Sequence, residues 1–151
     1  MWHRNRWMIA VLIIAAALTL AACAAQTPKT SESLTSSPPA RVERIAGTNF
    51  SRVILTAEAA KRLDIQTAPV HDAQVRGKLR KVVPYAAVFY DLNGATWVYI
   101  NLEPLNFVRA SISVDYIDGD LAVLSDGPPS GTEVVTVGAP ELYGTEFGVG
   151  Q

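Results

Sequence analysis

Apolar positions along this chain fall into one long run, one nearly empty stretch and then a series of short clusters. No charged residue occurs from position 7 to position 25, and residues 7–20 are almost wholly apolar. Residues 24–40 are the reverse, rich in Ser, Thr and Pro, with Leu34 as their one large apolar side chain. Such a stretch cannot bury enough surface to offset the entropy of ordering it, which predicts a flexible tether. Folded sequence is expected from about residue 42 or 50. Arg52-Val53-Ile54-Leu55 reads as a short strand. Thr56 can then cap a helix over 57–63, with Glu58 in its first turn and Lys61 and Arg62 in its last, each matching the helix dipole.

After the helix the period changes to two. Residues 65–70 read as extended chain, and Pro69 places that strand at a sheet edge. Another strand is expected within 75–83. Residues 87–92 and 95–100 flank Asn93-Gly94, a strong hairpin signal because a type I′ turn needs positive φ at both central residues. A two-residue turn there would pair Tyr90 with Trp97 and Val88 with Tyr99. A second hairpin is expected to run from 107 to 117 through Ile112, Val114 and Tyr116. It would turn at Asp118-Gly119 and return through Leu121-Ala122-Val123-Leu124. Gly127-Pro128-Pro129-Ser130-Gly131 interrupts any strand, and 132–137 reads as the last one. Beyond Gly138 the pattern predicts only a short tail.

Charge adds a polarity that the near-neutral total conceals. Residues 24–81 hold 10 Lys/Arg against 5 Asp/Glu, whereas 82–151 hold one base, Arg109, against 9 acids. Complementary halves of a single fold account for this, and docking to a charged partner is the alternative. The inventory of ligating side chains narrows the chemistry. Cys23 is the one cysteine, Met1 and Met8 are the two methionines, and His71 is the one histidine beyond position 3. A soft-metal site built from Cys, Met or several His is therefore excluded, and no cofactor is expected. His71 beside Asp72 would point to opposite faces of a strand. No Ser sits in a Gly-x-Ser-x-Gly turn. The chain is accordingly read as non-enzymatic.

Three further groups invite a site. Asp115, Asp118 and Asp120 surround Gly119 but lack the spacing of a calcium loop, so a polar turn is expected instead. Arg76, Lys78, Arg80 and Lys81 form a basic cluster in which the first three would line one strand face. A solvated edge strand is the simpler reading of them, and contact with lipid headgroups or an acidic partner is the alternative. Tyr90, Trp97 and Tyr99 are read as core, with an aromatic ligand pocket as the alternative. Nucleic acid is not an expected partner for so nearly neutral a chain.

The long apolar run ends at Leu20-Ala21-Ala22-Cys23 and is preceded by Arg4 and Arg6. A positive n-region, an apolar h-region and small residues before a cysteine resemble the signal peptide and lipobox of bacterial lipoproteins. That resemblance implies cleavage before Cys23, lipid on its side chain, and an extracytoplasmic location on the periplasmic side or cell surface. An uncleaved spanning segment is the alternative. The organisation expected is a signal peptide at 1–22, a tether at 23–45, a β-domain at 46–144 and a tail at 145–151. The fold class is mainly β, a small antiparallel domain forming a partly open barrel or sandwich with one short helix, behind a disordered tether and a signal helix.

Two blocks carry a second resemblance. The first is residues 53–70, from Val53-Ile54-Leu55-Thr56 to Ala68-Pro69-Val70. The second begins at Val83-Pro84-Tyr85 and continues through Trp97-Val98-Tyr99, Phe107-Val108-Arg109 and Gly131-Thr132-Glu133-Val134-Val135 to Gly138-Ala139-Pro140-Glu141-Leu142. Together they resemble the membrane-proximal β-domain of the periplasmic adaptor subunits (membrane fusion proteins) of resistance–nodulation–division efflux systems, of the heavy-metal-exporter type. Such adaptors carry lipoyl, α-hairpin and most barrel sequence between those blocks, where this chain has only residues 71–82. The resemblance implies a non-enzymatic accessory or assembly subunit, with membrane lipid and an inner-membrane efflux transporter as partners. A free-standing lipoprotein that binds a small ligand, and an envelope-structural lipoprotein, are the alternatives.

Overall fold

Whether a strand reads as alternating or as continuously apolar depends on how many of its faces are covered, and both kinds occur here. The computed structural model describes residues 38–149. Leu20, Ala21, Ala22, Cys23 and most of the expected tether lie outside the described residues. The elements in chain order are β1 (Ala40–Arg44), β2 (Ser51–Leu55), α1 (Ala57–Arg62), β3 (Gln66–Pro69), β4 (His71–Val75), β5 (Lys78–Pro84), a 3₁₀ turn (Tyr85–Ala87), β6 (Phe89–Tyr90), β7 (Thr96–Glu103), β8 (Asn106–Ser111), β9 (Ser113–Asp118), β10 (Leu121–Asp126), β11 (Glu133–Val137) and α2 (Ala139–Phe147).

The strands make two open antiparallel sheets. The larger has the order β1-β2-β8-β7-β11-β3, with β6 also paired to β7, and the smaller has the order β4-β5-β10-β9. The fold is thus mainly β, as the short apolar clusters predict. The chain changes sheet at Val70 and Ile112, both buried. Each corner is held by backbone bonds across it: Val70 N–H donates to the Thr132 carbonyl at 2.8 Å, and Ile112 N–H to that of Thr96 at 3.1 Å.

Between the sheets pack Val70, Val83, Val98, Ile112, Leu124 and Val134. The opposite face of the larger sheet buries Val53, Leu55, Tyr99, Phe107 and Val135 beneath Ala59 of α1 and Leu142 of α2. Strands β7 and β11 therefore have both faces covered, which is why Trp97-Val98-Tyr99-Ile100 and Val134-Val135 show no alternation. A third, smaller cluster of Val75, Val82 and Val123 lies on the outer face of the smaller sheet beside Tyr116.

Several local expectations hold. Thr56 caps α1, its hydroxyl accepting from Ala59 N–H at 3.1 Å, and Arg62 bonds Glu58 one turn back at 2.9 Å. Strand β3, which contains Pro69, is an edge. The Gly119 turn joins β9 to β10.

Others are corrected. Ala40–Arg44, within the stretch assigned to the tether, is a strand paired with β2. Arg76 does not continue a strand; with φ of 52° for Arg76 and 75° for Gly77, the two residues form the tight turn between β4 and β5. The single arm expected over 107–117 is two strands of different sheets, broken at Ile112, and β8 pairs instead with β7 across a turn at Pro104-Leu105. The Asn93-Gly94 turn is wider than two residues, so Phe89 and not Tyr90 faces Trp97, and Tyr90 pairs with Thr96. A one-residue slip exchanges faces. Phe89 consequently stacks on Tyr99 at 5.1 Å, while Tyr90 points out, 55% exposed. The expected tail is a helix to Phe147, started after Gly138 and stopped at Gly148.

Candidate functional site

Four segments far apart in sequence meet at one end of the larger sheet's helix-covered face. The β1–β2 turn brings Phe50, the β6–β7 loop brings Asp91 and Leu92, β7 and β8 bring Trp97 and Arg109, and α2 brings Tyr143 and Phe147. Between them is a cavity of about 960 Å³. Alternation explains why Trp97 and Arg109 belong to it. They lie on the same face as Tyr99 and Phe107, opposite Val98 and Ala110, which pack between the sheets.

Arg109 is the centre of the arrangement. Its side chain is 10% exposed and that of Glu146 only 3%. Nε of Arg109 reaches both carboxylate oxygens of Glu146, at 2.9 and 3.1 Å, and the Tyr99 hydroxyl donates to the same carboxylate at 2.5 Å. Burial, and then the hydrogen bond to Glu146 with its negative charge, push the Tyr99 phenol far above its ordinary pKa, so it remains a neutral donor. Aromatic rings surround the guanidinium, whose carbon stands 4.6 Å from the Trp97 ring centre, 4.9 Å from that of Phe147 and 5.9 Å from that of Phe50. Tyr143 and Phe147 pack against each other at 4.6 Å, extending that wall.

Asp91 shapes the loop at the cavity rim. Its carboxylate accepts the amides of Asn93 and Ala95 at 2.8 and 3.0 Å and the Trp97 indole N–H at 3.1 Å. Desolvation pushes its pKa up, but those hydrogen bonds and the Arg109 charge outweigh it, and the carboxyl is held below its ordinary value. The same contacts fix the Trp97 ring and widen the hairpin beyond the expected two-residue turn.

The basic cluster lies elsewhere, around the smaller sheet. Arg80 bonds Asp115 at 2.6 Å and Arg76 pairs with Asp118 at 3.4 Å, and both guanidinium carbons stand over Tyr116, at 5.8 and 4.3 Å. Two of the three acids around Gly119 thus serve as arginine partners. These pairs join the basic half of the sequence to the acidic half. Lys81 Nζ donates to the Gly127 carbonyl at 3.2 Å, and Lys78 is exposed. His71 is exposed with Nδ1 3.2 Å from the Pro69 carbonyl, and Asp72 accepts from Ser130 at 2.8 Å, so the two do not form a pair.

Of the three aromatic residues singled out from the sequence, Tyr99 is core, Trp97 lines the cavity and Tyr90 is exposed outside it. Arg109, Glu146 and Phe147 were not among the expected site residues. The available signal was Arg109 as the lone base among nine acids, which marks a cation with an acidic partner nearby.

Comparison with protein-family models, with curated proteins and with solved structures finds no match to this chain.

Proposed function

We propose that this protein is a membrane-anchored, extracytoplasmic and non-enzymatic accessory or assembly subunit, similar to the membrane-proximal part of an efflux adaptor. The observation that supports this reading is the interleaving of the two adaptor-like blocks. β2 and β3, from the first block, each pair with a strand of the second: Val53 faces Phe107 on β8, and Ala68 faces Val134 on β11. A domain assembled from separated chain ends requires this kind of pairing. The residues where an adaptor would carry its lipoyl and α-hairpin parts are here the β4–β5 hairpin, closed by Arg76-Gly77. The α-hairpin contact with an outer-membrane channel would then be missing, leaving a surface for an inner-membrane transporter.

Crosslinking in intact membranes, followed by purification through a C-terminal tag, tests this. An integral-membrane transporter subunit should be recovered well above an untagged control. Recovery of none removes the adaptor reading and leaves the anchored domain without a transporter partner.

A further inference from the structure

The cavity around Arg109 has features that neither core packing nor the adaptor reading requires. Its volume, about 960 Å³, lies in the range of small-molecule sites, roughly 300–1,000 Å³. Its rim is apolar and open, with Leu92 97% exposed and Phe147 51% exposed. Inside, the aromatic rings hold a guanidinium with unused donors. Among the described residues only Nε of Arg109 donates, leaving both Nη groups, and neither is a buried atom without a partner. Arg109 lines the cavity, and its side chain retains 10% exposure.

Charge then selects among ligands. Arg109 is answered by Glu146, which the Tyr99 hydroxyl also engages. Asp91 is the other charged residue on the cavity wall, and it forms no ion pair among the described residues. The site therefore carries one surplus negative charge. An anionic ligand meets that surplus beside the Asp91 carboxylate and is repelled by it. A cationic ligand among the rings would be repelled by the Arg109 guanidinium that stands over them. A neutral molecule incurs neither cost.

We propose that this cavity binds an uncharged planar aromatic molecule, packed among Phe50, Trp97 and Phe147, with a hydrogen-bond acceptor such as a carbonyl directed at the Nη groups of Arg109. This gives the small-ligand alternative a location and a chemical class, and it stands independently of any transporter partner.

The test uses the full-length protein in lipid nanodiscs, with empty discs subtracted, and a matched pair of dyes. N-phenyl-1-naphthylamine is neutral, and 8-anilinonaphthalene-1-sulfonate carries the same rings with a negative charge. The neutral dye should bind about tenfold more tightly. It should be displaced by 1-acetonaphthone, and about tenfold less effectively by 1-naphthoate. Phe147→Ala, at a half-exposed position, should weaken the neutral dye at least about fivefold with an unchanged melting temperature. Asp91→Asn also disturbs the loop that holds Trp97, so the ratio between the two dyes is the readout: it should fall in that variant, which separates charge from the difference in hydrophobicity between the dyes. Equal binding of the two dyes, an unchanged ratio between them in Asp91→Asn, or neutral-dye binding indifferent to Phe147→Ala would overturn the proposal. So would exclusion of both dyes, whether by the chain's own last residues or by a second copy.

Discussion

Glu146 is the residue on which the covered face of the larger sheet depends. It joins a side chain of β7, Tyr99, to one of β8, Arg109, from a position on α2. Two buried charges with good geometry offset their desolvation, but one alone does not. Glu146→Ala should therefore lower unfolding free energy by about 3 kcal/mol in urea denaturation, whereas Arg109→Met with Glu146→Leu should lie within about 1 kcal/mol of wild type. Tyr99 supplies a pH signature. Its folded pKa is raised, so its contribution is intact below the unfolded phenol value of about 10 and declines as pH rises beyond it. Wild type should lose stability above about pH 10, and Tyr99→Phe should show a smaller loss over that window, measured as melting temperature against pH. At this scale the sequence was partly legible. The lone base in the acidic half indicated Arg109, but its partner lies 37 positions away, a separation that no local pattern encodes.

Helix α1, whose signals are local, came out as expected, and α2, which depends on distant partners, did not. Thr56, Glu58 and Arg62 specify α1 within a few residues. α2 has the same kind of stripe in Ala139, Leu142, Tyr143 and Glu146, but its last position is a carboxylate that becomes a core-facing group only once Arg109 and Tyr99 are present. The sequence beyond Gly138 therefore reads only as a short tail. The hairpin at Asn93-Gly94 was recognisable in kind, yet Asp91 gathers two amides and an indole and moves the register by one. At Ile112 the alternation runs on through the corner, so nothing in the pattern shows that the chain changes sheet. The start of α2 offers a direct check. Gly138 has φ of +94°, and a Cβ there would run into Ile65 Cδ1. Gly138→Ala should cost about 1–3 kcal/mol in denaturant unfolding, from left-handed strain together with the displaced Ile65. A neutral outcome would mean that α2 can begin without that conformation.

Across the whole molecule, part of the charge polarity between sequence halves resolves into contacts within one domain. Arg76 and Arg80 meet Asp118 and Asp115 across the smaller sheet, which leaves less of the basic cluster for an outside partner. Such exposed pairs are screened by solvent, so their effect is on where charge is displayed more than on stability. Residues 53–70 become neighbours of the chain beyond residue 83 because β2 and β3 enter the sheet that β7, β8 and β11 build. The cavity likewise arises only when the β1–β2 turn, the β6–β7 loop and α2 converge. That is why a site made of Phe50, Asp91, Trp97, Arg109 and Phe147 could not be read from any single motif.

The proposed accessory role and the proposed location both require the chain to be held outside the cytoplasm through Cys23. Mass spectrometry of the N-terminus, on protein extracted from membranes, measures this directly. A lipid anchor at Cys23 predicts a mature chain beginning at Cys23 and carrying acyl mass, and an unprocessed, unlipidated precursor from Cys23→Ala. A wild-type chain that retains residues 1–22, or normal processing of the Cys23→Ala variant, would contradict it.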